Sequence, residues 1–193
     1  NGFILKLDQK IWESACRKIR EWIDKGIEPV PISVNISREY IHTFDVVGEM
    51  LHLVNKYDFP IKLLELEITE TTDAEGVSDV VQKMKDAGFT MLMDDFGSGY
   101  SSLNMLQKTQ FDVLKIDRGF LSEFMESSRG RKIISHTISM SRDIGLDIIA
   151  EGVETPEQAS FLSDCGCDSA QGFYYSKPIT QEEFDKMLVE VNK

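Results

Sequence analysis

The sequence predicts an α/β fold in which strands alternate with helices. Three observations carry this reading. Six short runs are rich in branched apolar residues, a helical apolar period follows each, and glycines or prolines punctuate many of the junctions.

The segment Leu7 to Lys25 places Leu7, Ile11, Ala15, Ile19 and Ile23 at helical spacing, with Asp8 near its start and Gly26 beyond its end. Pro29 and Pro31 bracket an extended entry into a first strand, Ile32 to Ser37. Arg38 to Lys56 returns to helix, with Ile41, Val46, Met50, Leu53 and Val54 as the apolar face. Leu63 to Thr69 reads as a strand, Asp79 to Ala87 as a helix closed by Gly88, Thr90 to Asp94 as a strand and Ser101 to Lys108 as a short helix. Phe111 to Asp117 is the fourth strand, Gly130 to Ile144 a helix stopped by Gly145, and Asp147 to Val153 the fifth strand. Thr155 and Pro156 form a cap and first-turn pair for a helix to Ser163. Ser169 to Tyr175 is the last strand, and Thr180 to Val191 the closing helix.

Strict βα alternation implies parallel strands joined by right-handed crossovers, in an open doubly wound sheet or a barrel. No glycine-rich phosphate loop follows the first strand, which weighs against a dinucleotide or P-loop fold. A closed barrel takes eight strands and about 250 residues. This chain has 193 residues and opens on a helix. The expected architecture is a TIM-like (β/α) barrel seen without its first two strands, forming a single domain over residues 1–193.

The net charge of −12 argues against binding duplex DNA or RNA, which requires clustered lysine and arginine. A phosphate ligand on so acidic a chain needs metal ions to invert the local potential. No apolar run approaches the roughly 20 residues of a membrane span, and no secretory pattern opens the chain. The expected location is the cytoplasm, free or as the cytoplasmic part of a membrane-anchored protein. Cys16, Cys165 and Cys167 lack CxxC spacing and read as reduced structural thiols. His42, His52 and His136 have no ligand spacing, so a histidine-based metal site is not expected.

The chemistry gathers at the predicted C-terminal strand ends, where barrel active sites lie. Asp94 and Asp95 end the third strand, and a loop with two glycines, Phe96-Gly97-Ser98-Gly99, follows. Neighbouring side chains of a regular strand face opposite ways, so these two acids cannot both serve the core, and burying them needs cations or donors. Asn35, Glu67, Lys115, Glu151 and Gln171 occupy the corresponding ends of the other strands. Each alone has an ordinary structural reading: Asn35 as a helix cap, Lys115 paired with Asp112 or Asp117, Glu151 as a turn acid. Six together at one rim point to a site. Amide and carboxylate oxygens suit Mg²⁺ or Mn²⁺, not zinc. Two such ions about 4 Å apart activate water and clamp a phosphoryl centre, and a lysine among them can orient that water.

These residues fall in motifs that resemble the EAL-domain family of cyclic-di-GMP phosphodiesterases. The motifs are Val34-Asn35-Ile36-Ser37, Glu67-Ile68-Thr69-Glu70, Asp94-Asp95-Phe96-Gly97-Ser98-Gly99-Tyr100-Ser101-Ser102, Lys115-Ile116-Asp117, Glu151-Gly152-Val153-Glu154 and Gln171-Gly172-Phe173, in the family's order. The resemblance implies a modified TIM barrel that hydrolyses cyclic di-GMP to linear pGpG with two divalent cations, Mg²⁺ or Mn²⁺. Carried over by motif, Asn35, Glu67 and Asp94 hold one metal, and Asp94 bridges to a second held by Asp95 and Glu151. Lys115 orients or helps deprotonate the attacking water, and Gln171 and Glu154 border the substrate. Glu70 acts from behind by holding the loop Phe96 to Ser102, with Phe96, Gly97, Ser98 and Gly99 at its start, which in the family links metal, substrate and dimerisation. The resemblance also implies a homodimer and fusion to sensor or cyclase-like domains.

One departure from the family stands out: the Glu-Ala-Leu motif itself is absent. It lies on a strand before the opening helix, so the motif count and the barrel count both expect roughly 50 residues upstream of Asn1. The 193-residue chain alone is then expected to be inactive or weak. Two alternatives to the enzyme are a receptor that binds cyclic di-GMP without cleaving it and a regulatory or dimerisation module.

Overall fold

The computed structural model describes residues 3–70, 76–99 and 102–191. Tyr100 and Ser101 of the glycine loop, and the side chains of His42 and Ser102, lie outside what is described. The chain forms two compact units. The first comprises Asn1–Ile68, Thr72–Met91 and Ile179–Lys193, and the second Thr69–Thr71 and Leu92–Pro178.

In the first unit, α1 (Phe3–Asp24) packs on β1 (Ile32–Asn35) and on α3 (Val46–Tyr57), and α3 touches α4 (Val77–Ala87). The buried stripe of α1 is Trp12, Ala15, Cys16, Ile19 and Trp22. This stripe lies slightly to one side of the expected row: Ala15 and Ile19 are shared, but Leu7 and Ile11 are exposed. The indoles decide the face, because each is buried and finds an acceptor, Trp12 Nε1 donating to the Asn35 carbonyl at 2.9 Å and Trp22 Nε1 to Asp185 at 2.7 Å. Asp8 lies inside α1, not at its start.

The single helix expected over Arg38 to Lys56 is two, α2 (Arg38–Thr43) and α3. Asp45 causes the break by accepting from Gly48 N at 3.1 Å as the N-cap of α3. Burial of Val46, Met50, Leu53 and Val54 agrees with the expected face. A 3₁₀ turn at Ile61–Leu63 leads into β2 (Leu64–Thr69), which pairs parallel with β1, Asn35 opposite Glu67.

The second unit carries most of β3 (Thr90–Phe96), then α5 (Ser102–Lys108), β4 (Val113–Ile116), α6 (Arg118–Met125), α7 (Ser128–Asp143), β5 (Asp147–Ala150), α8 (Pro156–Asp164) and β6 (Ser169–Ala170). β3 pairs with β4, β4 with β5 and β5 with β6, all parallel, and strand neighbours follow chain order. Its core joins Ile116, Leu121, Met125, Ile134, Ile138, Ile148, Val153 and Leu162. Full burial of an aliphatic side chain is worth about 1.5–3 kcal/mol.

Helix α6 forms where the periodicity predicts no helix. Asp117 starts it, its carboxylate accepting from Gly119 N at 2.7 Å and Phe120 N at 3.2 Å. Ser127 then caps α7 through Gly130 N. The capping box expected at Thr155 is present, completed by Gln158. β6 has two residues where Ser169 to Tyr175 was expected. The chain turns after it, with Tyr174 N donating to Val153 O and Tyr175 N to Gly172 O.

The cysteines are free, and burial pushes the Cys16 thiol up to about 12, so it stays protonated and apolar. Among the described residues no helix is long and apolar enough to cross a membrane.

Helix α9 (Gln181–Val191) is anchored to α1 by Asp185, which takes Lys18 Nζ at 2.7 Å as well as the Trp22 indole. Burial raises the Asp185 carboxyl, but these two donors outweigh it and hold the group below its ordinary value. Burial lowers Lys18, and Asp185 and Glu21 outweigh that to raise it. Asp185→Asn is expected to cost about 1–2 kcal/mol at neutral pH, discounted because Asp185 is a quarter exposed, and read as a lower Tm. A depressed carboxyl stabilises above its unfolded value and ceases to do so as pH falls through the folded one. The difference between wild type and variant should therefore shrink below about pH 4. A constant difference down to acid pH contradicts this.

Candidate active site

In the first unit two oxygen donors stand in register at the C-terminal ends of paired strands, Asn35 ending β1 and Glu67 opposite it on β2. Ile36 N donates to the Glu67 carbonyl at 2.9 Å, and Trp12 holds the Asn35 carbonyl, so both strand ends are fixed. Glu67 is buried and Asn35 exposed.

In the second unit the end of β3 is irregular at the two aspartates. Met93 pairs with Leu114 and Phe96 with Ile116, so three steps along β3 match two along β4. One extra residue is accommodated there, a β-bulge, and Asp95 takes a left-handed backbone with φ of 59°. Aspartate tolerates that conformation better than most residues because its short polar side chain bonds locally. The bulge answers the difficulty of two adjacent acids: strand alternation stops at this step, leaving Asp94 buried and Asp95 half-buried.

Lys115, from β4, meets the acids. Its ammonium lies 3.0 Å from Asp94 Oδ1 and 2.8 Å from Glu151 Oε1. The two carboxylates have further donors: Asp95 N reaches Asp94 Oδ1 at 3.0 Å, and Gln171 Nε2 reaches Glu151 Oε1 at 2.6 Å. Lys115 and Asp94 are each more than nine-tenths buried. Charges withdrawn from water to this degree persist only when paired and hydrogen-bonded, as these are. Glu151 N and Gln171 N donate to Ile116 O and Ala150 O, which keeps β4, β5 and β6 aligned beneath the cluster.

Behind the bulge stands Glu70, itself buried. Its amide donates to Asp94 O at 3.1 Å, and its Oε2 accepts from Gly97 N at 3.1 Å and Gly99 N at 3.3 Å. Gly97 has φ of 96°, and a Cβ there would lie 2.4 Å from the Phe120 ring. Phe96 meets Phe120 edge-on at 6.1 Å, and Phe120 stacks on Phe124 at 4.4 Å. Asp117 N donates to Phe96 O at 3.2 Å, so the loop and α6 are joined by backbone as well as by rings. Ser98 N closes the turn on Asp95 O.

Glu154 pairs with Arg118 at 2.7 Å, a partner the sequence reading did not single out. The signal for it was the Asp117 cap, which sets Arg118 at the first position of α6. Asp94, Lys115, Glu151 and Gln171 are thus directly linked, Glu70 holds the loop, and Glu154 belongs to a separate ion pair. Among the described residues no group of three His, Cys, Asp or Glu stands ready as a metal cluster. The donors of Asp94, Asp95 and Glu151 are nonetheless all carboxylate oxygens, the set a hard divalent cation takes.

The profile of the EAL domain matches residues 1–178. The chain belongs to the EAL domain family. Its fold class is accordingly the TIM-like (β/α) barrel of EAL domains, represented here by six parallel strands with their helices. The chain is 35% identical over 185 residues to the bifunctional diguanylate cyclase/cyclic di-GMP phosphodiesterase MucR of Pseudomonas aeruginosa, covering 94% of this chain and 27% of MucR. It is 33% identical over 192 residues to the signaling protein YkoW of Bacillus subtilis, covering 98% of this chain and 24% of YkoW. The EAL chain thus spans about a quarter of the length of these relatives. Among solved structures, the PaMucR phosphodiesterase in complex with c-di-GMP superposes with a TM-score of 0.87 at 34% identity, over 95% of this chain and 75% of that one. The EAL domain of Mycobacterium smegmatis DcpA gives 0.86 at 32% identity, over 92% and 82%.

Gly97→Ala combines a strained φ with a collision against Phe120. It is expected to lower stability by more than about 1 kcal/mol, seen as a lower Tm, and a Phe120→Ala background should restore part of the loss. Unchanged melting of the single variant contradicts the packing described for the loop.

Proposed function

We propose that this chain is the hydrolytic part of a cyclic-di-GMP phosphodiesterase, cleaving one phosphodiester bond to give linear pGpG. The observation that carries the reading is the buried cluster at the strand ends, with Lys115 held between Asp94 and Glu151. A relative supports it: MucR of P. aeruginosa is named a bifunctional diguanylate cyclase/cyclic di-GMP phosphodiesterase. Asp94, Asp95 and Glu151 would hold divalent cations, Mg²⁺ or Mn²⁺, with Asn35 and Glu67 assigned to the ligand set by motif alone. Bound there, the cations supply Lewis-acid polarisation of the phosphoryl group and a water acidic enough to attack near neutral pH.

The chain's own residues do the rest. Lys115 donates from its ammonium to the attacking water, fixing one lone pair so that another faces phosphorus. It also offsets charge that builds on the phosphoryl oxygens. Glu151, oriented by Gln171, accepts a proton from that water, and a proton is returned to the departing ribose oxygen as its bond to phosphorus breaks. Gln171 and Glu154 border the nucleotide. Glu70 keeps Gly97 and Gly99 in place and so holds Asp94 and Asp95 at the bulge. A homodimer, and fusion to sensor or cyclase-like domains, complete the proposal. A second reading, binding of cyclic di-GMP without cleavage, draws on the same ion pairs, since Lys115 already offsets part of the carboxylates' charge.

The test is turnover of cyclic di-GMP by the gene product that contains these 193 residues, followed as pGpG by chromatography with Mg²⁺ or Mn²⁺. Lys115→Ala is expected to lower kcat by about 10²–10³-fold while nucleotide binding is retained. Ca²⁺, with its looser and larger shell, is expected to support little turnover. Binding without cleavage by the wild type, at any Mg²⁺ or Mn²⁺ level, selects the receptor reading.

A further inference from the structure

We propose that Lys115 is an internal counter-ion which competes with the first divalent cation for Asp94 and Glu151, and that this competition sets how tightly the protein takes up metal. The inference rests on the assignment of those two carboxylates as ligands made above.

The hydrogen-bond count at two oxygens carries the argument. Asp94 Oδ1 accepts from Asp95 N at 3.0 Å and meets Lys115 at 3.0 Å. Glu151 Oε1 accepts from Gln171 at 2.6 Å and meets Lys115 at 2.8 Å. A carboxylate oxygen has about two lone-pair directions, and on both oxygens Lys115 shares them with an orienting donor. A cation that binds either of these oxygens crowds the ammonium there or pushes it aside.

The exchange leaves the carboxylates aimed. Asp95 N and Gln171 hold them without help from the lysine, and pairing of β4 with β3 and β5 fixes the Lys115 backbone. Only the flexible four-carbon stem has to move. Without lysine or metal, two acids whose side chains are 12% and 19% exposed would repel one another across a short gap. Lys115 prevents that, and it does so by competing with the ion. A lysine standing clear of these oxygens would repel the ion only through space, whereas one seated on both must also give up its contacts to them.

The test is titration calorimetry of Mn²⁺ into the nucleotide-free gene product, paired with thermal melts with and without Mn²⁺. Lys115→Met keeps the buried stem and removes the charge, and Lys115→Gln serves as a second neutral variant should the first not fold. Either is expected to tighten Mn²⁺ binding about tenfold, within the range usual for two coupled binding events. It is also expected to melt below wild type without metal and to gain more in Tm from Mn²⁺ than wild type does. Lys115→Arg, which keeps the charge, should stay near the wild-type affinity. Mn²⁺ affinity unchanged or weaker in both neutral variants overturns the proposal. Failure of every form to bind Mn²⁺ removes the ligand assignment, and the proposal with it.

Discussion

Two carboxylates and one ammonium, nearly closed off from water, are the constraint around which the second unit is arranged. Asp94 and Lys115 come from β3 and β4, Glu151 directly follows β5, and none could be buried there alone. Their pairing requires β3, β4 and β5 to end at matching heights, which parallel registers from Leu92↔Val113 to Ile116↔Ala150 provide. The apolar residues on these strands, Leu92, Leu114, Ile116 and Ile148 among them, supply the burial that makes the register stable. The site and the core are therefore one structural problem, solved once.

The bulge at Asp94–Asp95 connects that cluster to the loop after it. Because Asp95 takes a left-handed backbone, the chain turns at once into Gly97, and Glu70 collects the loop amides on a single carboxylate oxygen. Glu70 also donates its amide to Asp94 O, so one residue grips both the aspartate and the loop that follows it. The rings of Phe96, Phe120 and Phe124 carry the same contact into α6. A displacement at the acids would be felt by the loop and by α6 through packed groups, not through a flexible tether.

Much of this was legible in the sequence. The alternation of elements, the six strand ends and the polar residue on each followed from periodicity and from motifs such as Lys115-Ile116-Asp117. What escaped depended on tertiary partners. Trp12 and Trp22 rotate α1 away from the row of Leu7 and Ile11 because their indole N–H groups need the Asn35 carbonyl and Asp185. The bulge could not be read from β3 alone, since it exists only as a mismatch against β4. Lys115, whose local candidates were Asp112 and Asp117, is paired with acids from the strands on either side, while Asp117 caps a helix the periodicity did not reveal. Local signals fixed the elements, and long-range pairing decided what each charged group does.

The central claim is that these strand ends form a divalent-metal site for phosphodiester hydrolysis, with Asp94 at its centre. Diffraction recorded near the manganese absorption edge, from crystals of the gene product grown with Mn²⁺, tests it most directly. The account predicts an anomalous peak within about 2.6 Å of an Asp94 carboxylate oxygen, with the Lys115 ammonium moved off that acid. Well-ordered Asp94 and Glu151 carboxylates still bridged by Lys115, with no anomalous peak beside either, would contradict it.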